Sequence, residues 1–236
     1  MILLPAIDLY HGKAVRLVKG DYAQMTVYSD SPRSVAEEFK RLGAEYVHVV
    51  DLEGAKDGTT PNLDTVREIL SVGLPVEVGG GIRTDEVAER YLSLGVSRII
   101  LGTAAVRDRD FLLRTVRKWG DRVAVGVDIK DGNVAVSGWT ETCMPYREFL
   151  ALLGEIGVST VIVTDVAKDG LLAGANHDLY AELSRDFGMN VVASGGVSSL
   201  HDVRRLADIG VYGAIVGKAY YTGALDLEAA IKEGKR

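Results

Sequence analysis

Short apolar runs rich in β-branched residues recur along the chain at fairly even spacing. Each is followed by a longer stretch whose apolar positions fall at helical period. Eight runs predict strands over 2–8, 46–51, 75–79, 98–102, 123–128, 160–164, 190–194 and 213–217. The intervening stretches are amphipathic: in 34–42 Val35, Phe39 and Leu42 share a face, and in 63–70 Val66, Ile69 and Leu70 do. Thr84, Ser199 and Pro61 mark helix starts, and Gly43, Gly95, Gly157 and Gly210 mark helix ends.

The pattern also repeats. Residues 78–104 recur at 193–219, a shift of 115 positions that aligns Gly80 with Gly195, Gly95 with Gly210 and Gly102 with Gly217. Strict alternation of strand and helix implies right-handed crossovers and a parallel sheet. Eight units in two matched halves predict an α/β fold, a closed (β/α)8 TIM barrel forming one domain over 1–236, with half-barrels of roughly 1–120 and 121–236. Two connections, 9–31 and 129–144, are too long for turns and are read as binding or lid loops in corresponding places of the two halves.

Asp8 and Asp128 each close an apolar strand, which puts a carboxylate at the C-terminal mouth, where barrel sites are built. As the first strands of the two halves they face each other across the ring. Opposed carboxylates suit general acid and base work. Thr164 and Asp169 end and follow the second strand of the latter half and are candidate partners, while Asp57 in the matching Lys56-Asp57-Gly58 equally serves a tight turn.

The glycine turns are read as anion cradles, one from Gly81, Arg83, Gly102 and Thr103 and one from Gly195, Gly196, Gly217 and Lys218. Their places on opposite sides of the ring suggest a ligand with a phosphate at each end, although glycine also serves tight strand-to-helix turns. Trp139 is read as stacking on a flat ring of the ligand or anchoring its own loop, and Lys19 and Gly20 in the first long connection as further ligand contacts.

Composition narrows the classes. Of 236 residues, 47% are hydrophobic and 25% charged, enough for a sizeable core. The single cysteine, Cys143, excludes an intrachain disulfide and is read as inert packing in a reducing cytoplasm. A net charge of −6 without a basic run argues against nucleic acid, and the N-terminus carries neither signal peptide nor membrane span. The four histidines show no metal spacing, and His48, inside a strand, is read as a packed core residue.

Several stretches together resemble the phosphoribosylformimino-aminoimidazole-carboxamide ribotide isomerases of histidine biosynthesis: Leu4-Pro5-Ala6-Ile7-Asp8-Leu9, Ala14-Val15-Arg16-Leu17 with Lys19-Gly20-Asp21, Val78-Gly79-Gly80-Gly81-Ile82-Arg83, Val136-Ser137-Gly138-Trp139, Thr164-Asp165 with Asp169-Gly170, and Ala193-Ser194-Gly195-Gly196-Val197-Ser198. The resemblance runs from first strand to last. It implies a duplicated half-barrel performing an Amadori rearrangement of a bisphosphorylated aminoaldose to an aminoketose, with no metal and no cofactor. It implies Asp8 as proton acceptor and Asp128 as donor, assisted by Thr164 and Asp169. The chain is expected to be a cytoplasmic monomer acting on a small bisphosphorylated molecule, with no nucleic-acid or membrane partner.

Three other readings are weighed. The cyclase subunit of imidazole glycerol phosphate synthase shares both aspartates but typically has Cys at the place of Ala6 and lacks the Ser-Gly-Trp stretch. A bifunctional isomerase that also takes phosphoribosylanthranilate usually carries an extra arginine where Ala135-Val136-Ser137 stand. A non-catalytic phosphate-binding barrel is disfavoured because paired acids repel phosphates.

Overall fold

The computed structural model describes residues 1–18 and 21–236, so Lys19 and Gly20 lie outside the described residues. In chain order the strands are β1 (Ile2–Tyr10), β2 (Lys13–Val18), β3 (Asp21–Ser29), β4 (Val47–Asp51), β5 (Val76–Gly79), β6 (Arg98–Leu101), β7 (Val123–Lys130), β8 (Asn133–Val136), β9 (Glu141–Pro145), β10 (Thr160–Asp165), β11 (Asn190–Ser194) and β12 (Gly213–Val216). The helices are α1 (Pro32–Arg41), α2 (Leu52–Asp57), α3 (Leu63–Leu70), α4 (Asp85–Leu94), α5 (Thr103–Arg107), α6 (Arg109–Trp119), α7 (Tyr146–Ile156), α8 (His177–Asp186), α9 (Leu200–Ile209), α10 (Lys218–Tyr221) and α11 (Leu227–Gly234).

Strands β1, β4, β5, β6, β7, β10, β11 and β12 pair in parallel in that order, and β12 closes the ring on β1. This is the closed (β/α)8 barrel that the alternation predicts. Each ring strand coincides with a predicted run to within two residues. Shifted by 115 positions, α4 falls on α9 and β6 on β12.

Side-chain alternation divides the core in two. Outward residues of the strands meet the helices; Ala36 and Phe39 of α1 and Val66 and Ile69 of α3 have no exposure. Burying a side chain the size of Phe39 contributes about 1.5–3 kcal/mol. Inward residues Leu4, Ile100, Ile162, Val192 and Ile215 pack with Ala6 and Ala124 into a separate plug inside the ring.

The two long connections are not loops, as expected, but antiparallel hairpins. β1 runs past Asp8 to Tyr10 and pairs with β2, Asp8 lying opposite Val15; β7 runs past Asp128 to Lys130 and pairs with β8, Asp128 opposite Ala135. Consecutive left-handed residues make each turn, His11 (φ 49°) with Gly12 (φ 72°) and Asp131 (φ 51°) with Gly132 (φ 78°), the combination that two-residue hairpins require. Pro61 stands just before its helix, whose N-cap is Asn62. Cys143, expected inside, is exposed on β9, which among the described residues pairs only with β8.

Candidate active site

A cavity of about 310 Å³ opens at the C-terminal ends of the ring strands. Local sequence explains the space: Ala6 of the plug and the glycines Gly79 and Gly126 occupy lining positions and leave room that a larger side chain would fill. Asp8 and Asp128 line it from β1 and β7, four strands apart and so on opposite sides of the ring. Each sits inside a strand paired on both flanks, Asp8 between Val50 and Val15, Asp128 between Thr164 and Ala135. The ladders therefore hold both carboxylates without help from a flexible end.

The two acids have different surroundings. Asp8 Oδ2 lies 2.8 Å from Arg16 Nη1. Burial opposes the charge on Arg16, but Asp8 first and Asp169 second hold it firmly protonated. Asp128 Oδ2 accepts from Trp139 Nε1 at 2.7 Å. Burial raises the Asp128 carboxyl above the usual aspartate range, against the lowering influence of Trp139 and Thr164. Asp169, on the turn after β10, is also raised, chiefly by burial, with Arg16 opposing and the charges of Asp8 and Asp128 adding. One carboxyl is thus ion-paired while another is raised by burial, a difference of the kind that acid and base catalysis uses.

Both glycine turns are shaped by backbone packing. Gly80 (φ 109°) and Gly81 (φ 73°) press on the turn after β4: a Cβ on Gly80 would strike the Asp51 carbonyl and one on Gly81 the Gly54 carbonyl. Gly195 and Gly196 do the same to Asp165 and Gly174. Close approach with positive φ accounts for why the turns come in matched pairs. Replacing Gly81 by Ala is expected to destabilise the protein by more than about 2 kcal/mol, read as a lower urea midpoint; an unchanged midpoint would show that the turn relaxes.

The long helices after these turns cap themselves. Thr84 accepts from the Val87 N–H, Ser199 and Asp202 form a reciprocal capping box, and Asp202 also accepts from the Ser198 N–H. The short α5 and α10 have no side-chain cap; they begin at Gly102 and Gly217, whose conformations match (φ −98°, ψ −115° and φ −112°, ψ −102°). Among the described residues no side chain caps their first N–H groups.

Of the candidate residues, Asp8, Asp128, Thr164, Asp169, Gly102, Trp139, Gly195, Gly196, Gly217 and Lys218 line the one cavity. Gly81, Arg83 and Thr103 do not. Arg83 is exposed and donates to the Ala55 carbonyl at 2.5 Å. The Thr103 hydroxyl accepts from the Ser137 N–H at 3.1 Å and so steadies the segment that carries Trp139. Lys218 Nζ donates to the Gly170 carbonyl at 2.8 Å. Lys19 and Gly20 lie outside the described residues.

Sequence reading passed over Arg16, Gly80 and His48 as lining residues. Because its neighbour Leu17 lines the same cavity and Val15 lies directly opposite Asp8, strand alternation does not single out Arg16. Its guanidinium lies against Gly217, where a Cβ would meet it. His48 carried no local signal.

The family model described as histidine biosynthesis protein matches residues 2–226. The chain is 52% identical over 232 residues to the 1-(5-phosphoribosyl)-5-((5-phosphoribosylamino)methylideneamino) imidazole-4-carboxamide isomerase of Lactococcus lactis subsp. cremoris (strain SK11), covering 97% of this chain and 94% of that protein. Proteins of the same name from Clostridium acetobutylicum, 45% identical over 233 residues and 98% of each chain, and from Acetivibrio thermocellus, 44% identical over 241 residues and the whole of each, are similarly related. With a likeness that runs through all eight ring strands, the chain belongs to the histidine biosynthesis protein family.

Proposed function

We infer that the protein is an aldose–ketose isomerase that converts a bisphosphorylated N-linked aminoaldose, the phosphoribosylformimino carboxamide ribotide, to its aminoketose by an Amadori rearrangement. The observation that carries this reading is the placement of Asp8 and Asp128 on opposite ring strands over one cavity, one ion-paired and the other raised by burial.

In the reading, Asp128 gives its proton to the ribose ring oxygen as the bond from that oxygen to the first carbon breaks, leaving an iminium at that carbon. Asp8 then takes the proton from the second carbon, and the electron pair forms an enolamine. Tautomerisation delivers a proton to the first carbon and leaves a ketone at the second. The first carbon is reduced as the second is oxidised, so the reaction balances internally and calls for no cofactor. Thr164, beside Asp128 in register, and Asp169, between the charges of both acids, assist.

The ligand's phosphates are assigned to the uncapped starts of α5 and α10, with Gly102 at one end and Gly195, Gly196, Gly217 and Lys218 at the other. The barrel is read as two half-barrels, each supplying one carboxylate and one cradle. A monomer acting on a small bisphosphorylated molecule is part of the same reading. Among the described residues no helix is long and apolar enough to cross a membrane, and a cytoplasmic location is assigned on the reading as a biosynthetic enzyme.

The test is a direct assay with the aminoaldose ribotide beside phosphoribosylanthranilate and the cyclase substrate. Turnover of the first alone is expected. Conversion of the second as well would make the enzyme bifunctional, and no turnover of the first would overturn the reading.

A further inference from the structure

Beneath the cavity floor lies a charged cluster that the proposed chemistry does not use. Glu77 of β5 has no exposure, and its two oxygens have different partners. Oε2 accepts from Arg98 Nε at 3.0 Å and Nη2 at 2.6 Å, while Oε1 lies 2.7 Å from His48 Nδ1. Strand register creates the row, with His48 beside Glu77 and Glu77 beside Arg98 on three adjacent strands. Arg98 is braced in turn: Nη1 reaches Thr160 Oγ1 at 3.4 Å, and the guanidinium carbon lies 5.4 Å from the Tyr46 ring centre and 5.9 Å from that of Tyr212. Burial works against a charged Glu77, but His48 and Arg98 together hold its carboxyl below the usual range.

A buried ion pair is a weak source of stability, because desolvation offsets the attraction, and apolar replacements are often neutral. The position of this one points elsewhere. His48 is the member of the row that lines the cavity. Its Nδ1 is taken by a carboxylate, which places the ring proton there, and no other hydrogen bond to the ring occurs among the described residues. In the neutral ring this leaves Nε2 as a lone pair, in the way a carboxylate orients a metal-binding or catalytic histidine.

We propose that Glu77 is a positioning residue for the isomerisation: braced by Arg98 through one oxygen, it fixes His48 through the other, so that Nε2 accepts a hydrogen bond from a hydroxyl of the substrate's central sugar. The proposal rests on the activity assigned above. Arg98 acts at one further remove, holding Glu77 charged and still.

The experiment compares Glu77→Gln, His48→Phe and their double variant in steady-state kinetics with the aminoaldose ribotide, together with nitrogen-15 NMR of the ligand-free histidines. Both single variants are expected to raise KM about three- to tenfold, the scale of one neutral hydrogen bond, with kcat within about threefold. The double variant should be no worse than His48→Phe, because Glu77 acts through that ring. Losses that multiply in the double variant, or a Glu77→Gln enzyme with wild-type KM, would overturn the proposal. Should Glu77→Gln fail to fold with Arg98 unpaired, Glu77→Gln/Arg98→Gln removes both charges and takes its place. The NMR arm needs no turnover: His48 is expected to carry its proton on Nδ1, and a proton on Nε2 instead overturns the proposal. A wild-type enzyme inert toward the ribotide while His48 shows the Nδ1 proton refutes the activity reading and, with it, the sugar contact, but leaves the Glu77–His48 bond established.

Discussion

Asp8→Asn is expected to lower turnover of the aminoaldose ribotide by about 10²–10⁴-fold, the range that a positioned general base contributes, while substrate affinity stays within about tenfold. The substitution keeps the shape of the side chain and its place between Val50 and Val15. It removes the charge that pairs with Arg16, but Asp169 also holds that guanidinium charged, so Arg16 is not left buried without a counter-ion. Affinity is preserved because the phosphates are assigned to the starts of α5 and α10 rather than to the acids, and losing a carboxylate relieves repulsion of an anionic ligand. Separate determination of kcat and substrate Kd checks the prediction; near-normal turnover would sink the assignment of Asp8 as base.

Asp128→Asn is expected to be as damaging to kcat, again by about 10²–10⁴-fold, yet to make the protein more stable at neutral pH. The sign follows from burial, which raises the carboxyl above the ordinary aspartate value more than Trp139 and Thr164 lower it. The folded protein therefore binds this proton more tightly than the unfolded chain. The resulting stability is complete below the unfolded aspartate range and is lost as pH rises through the raised folded value. At neutral pH the tighter proton binding of the folded state is a cost, and asparagine, which does not ionise, removes it while keeping an oxygen that can accept from Trp139 Nε1. Melting curves of both proteins across pH 4–8 test this: the variant should melt higher at neutral pH, by roughly 2–4 °C for each ~1 kcal/mol relieved, and the gap should close toward acid. A variant that melts below the wild type at pH 7 would mean that the carboxylate is stabilised where it stands.

Much of this was legible in the residues because the governing rules are local. The ring strands announce themselves by β-branched runs, and the helix starts at Thr84 and Ser199 by their capping chemistry. The hairpins are legible in principle, since alternation over Ala14 to Val18 and the Asp131-Gly132 pair are strand and turn signals, but the length of the two connections points to lid or binding loops. The glycine turns show the opposite difficulty. Their matched pairing was read as a sign of two phosphates, whereas Gly80, Gly81, Gly195 and Gly196 are also required by carbonyl groups of the preceding turn, a contact between segments that no local pattern announces.

The sequence by itself determined the number and order of the ring strands, the doubled plan, and the placement of Asp8 and Asp128 on opposed strands, since alternation and repeat order are properties of the chain read a few residues at a time. Only the tertiary structure decided which side chains meet. Ring closure and strand register bring Arg16 onto Asp8 and Gly217, turn Arg83 away to the Ala55 carbonyl, and line up His48, Glu77 and Arg98 under the cavity. Those partners lie tens to hundreds of positions apart, and their contact depends on how eight strands are staggered around the ring, a quantity set by the packing of the whole barrel and by no single stretch of it.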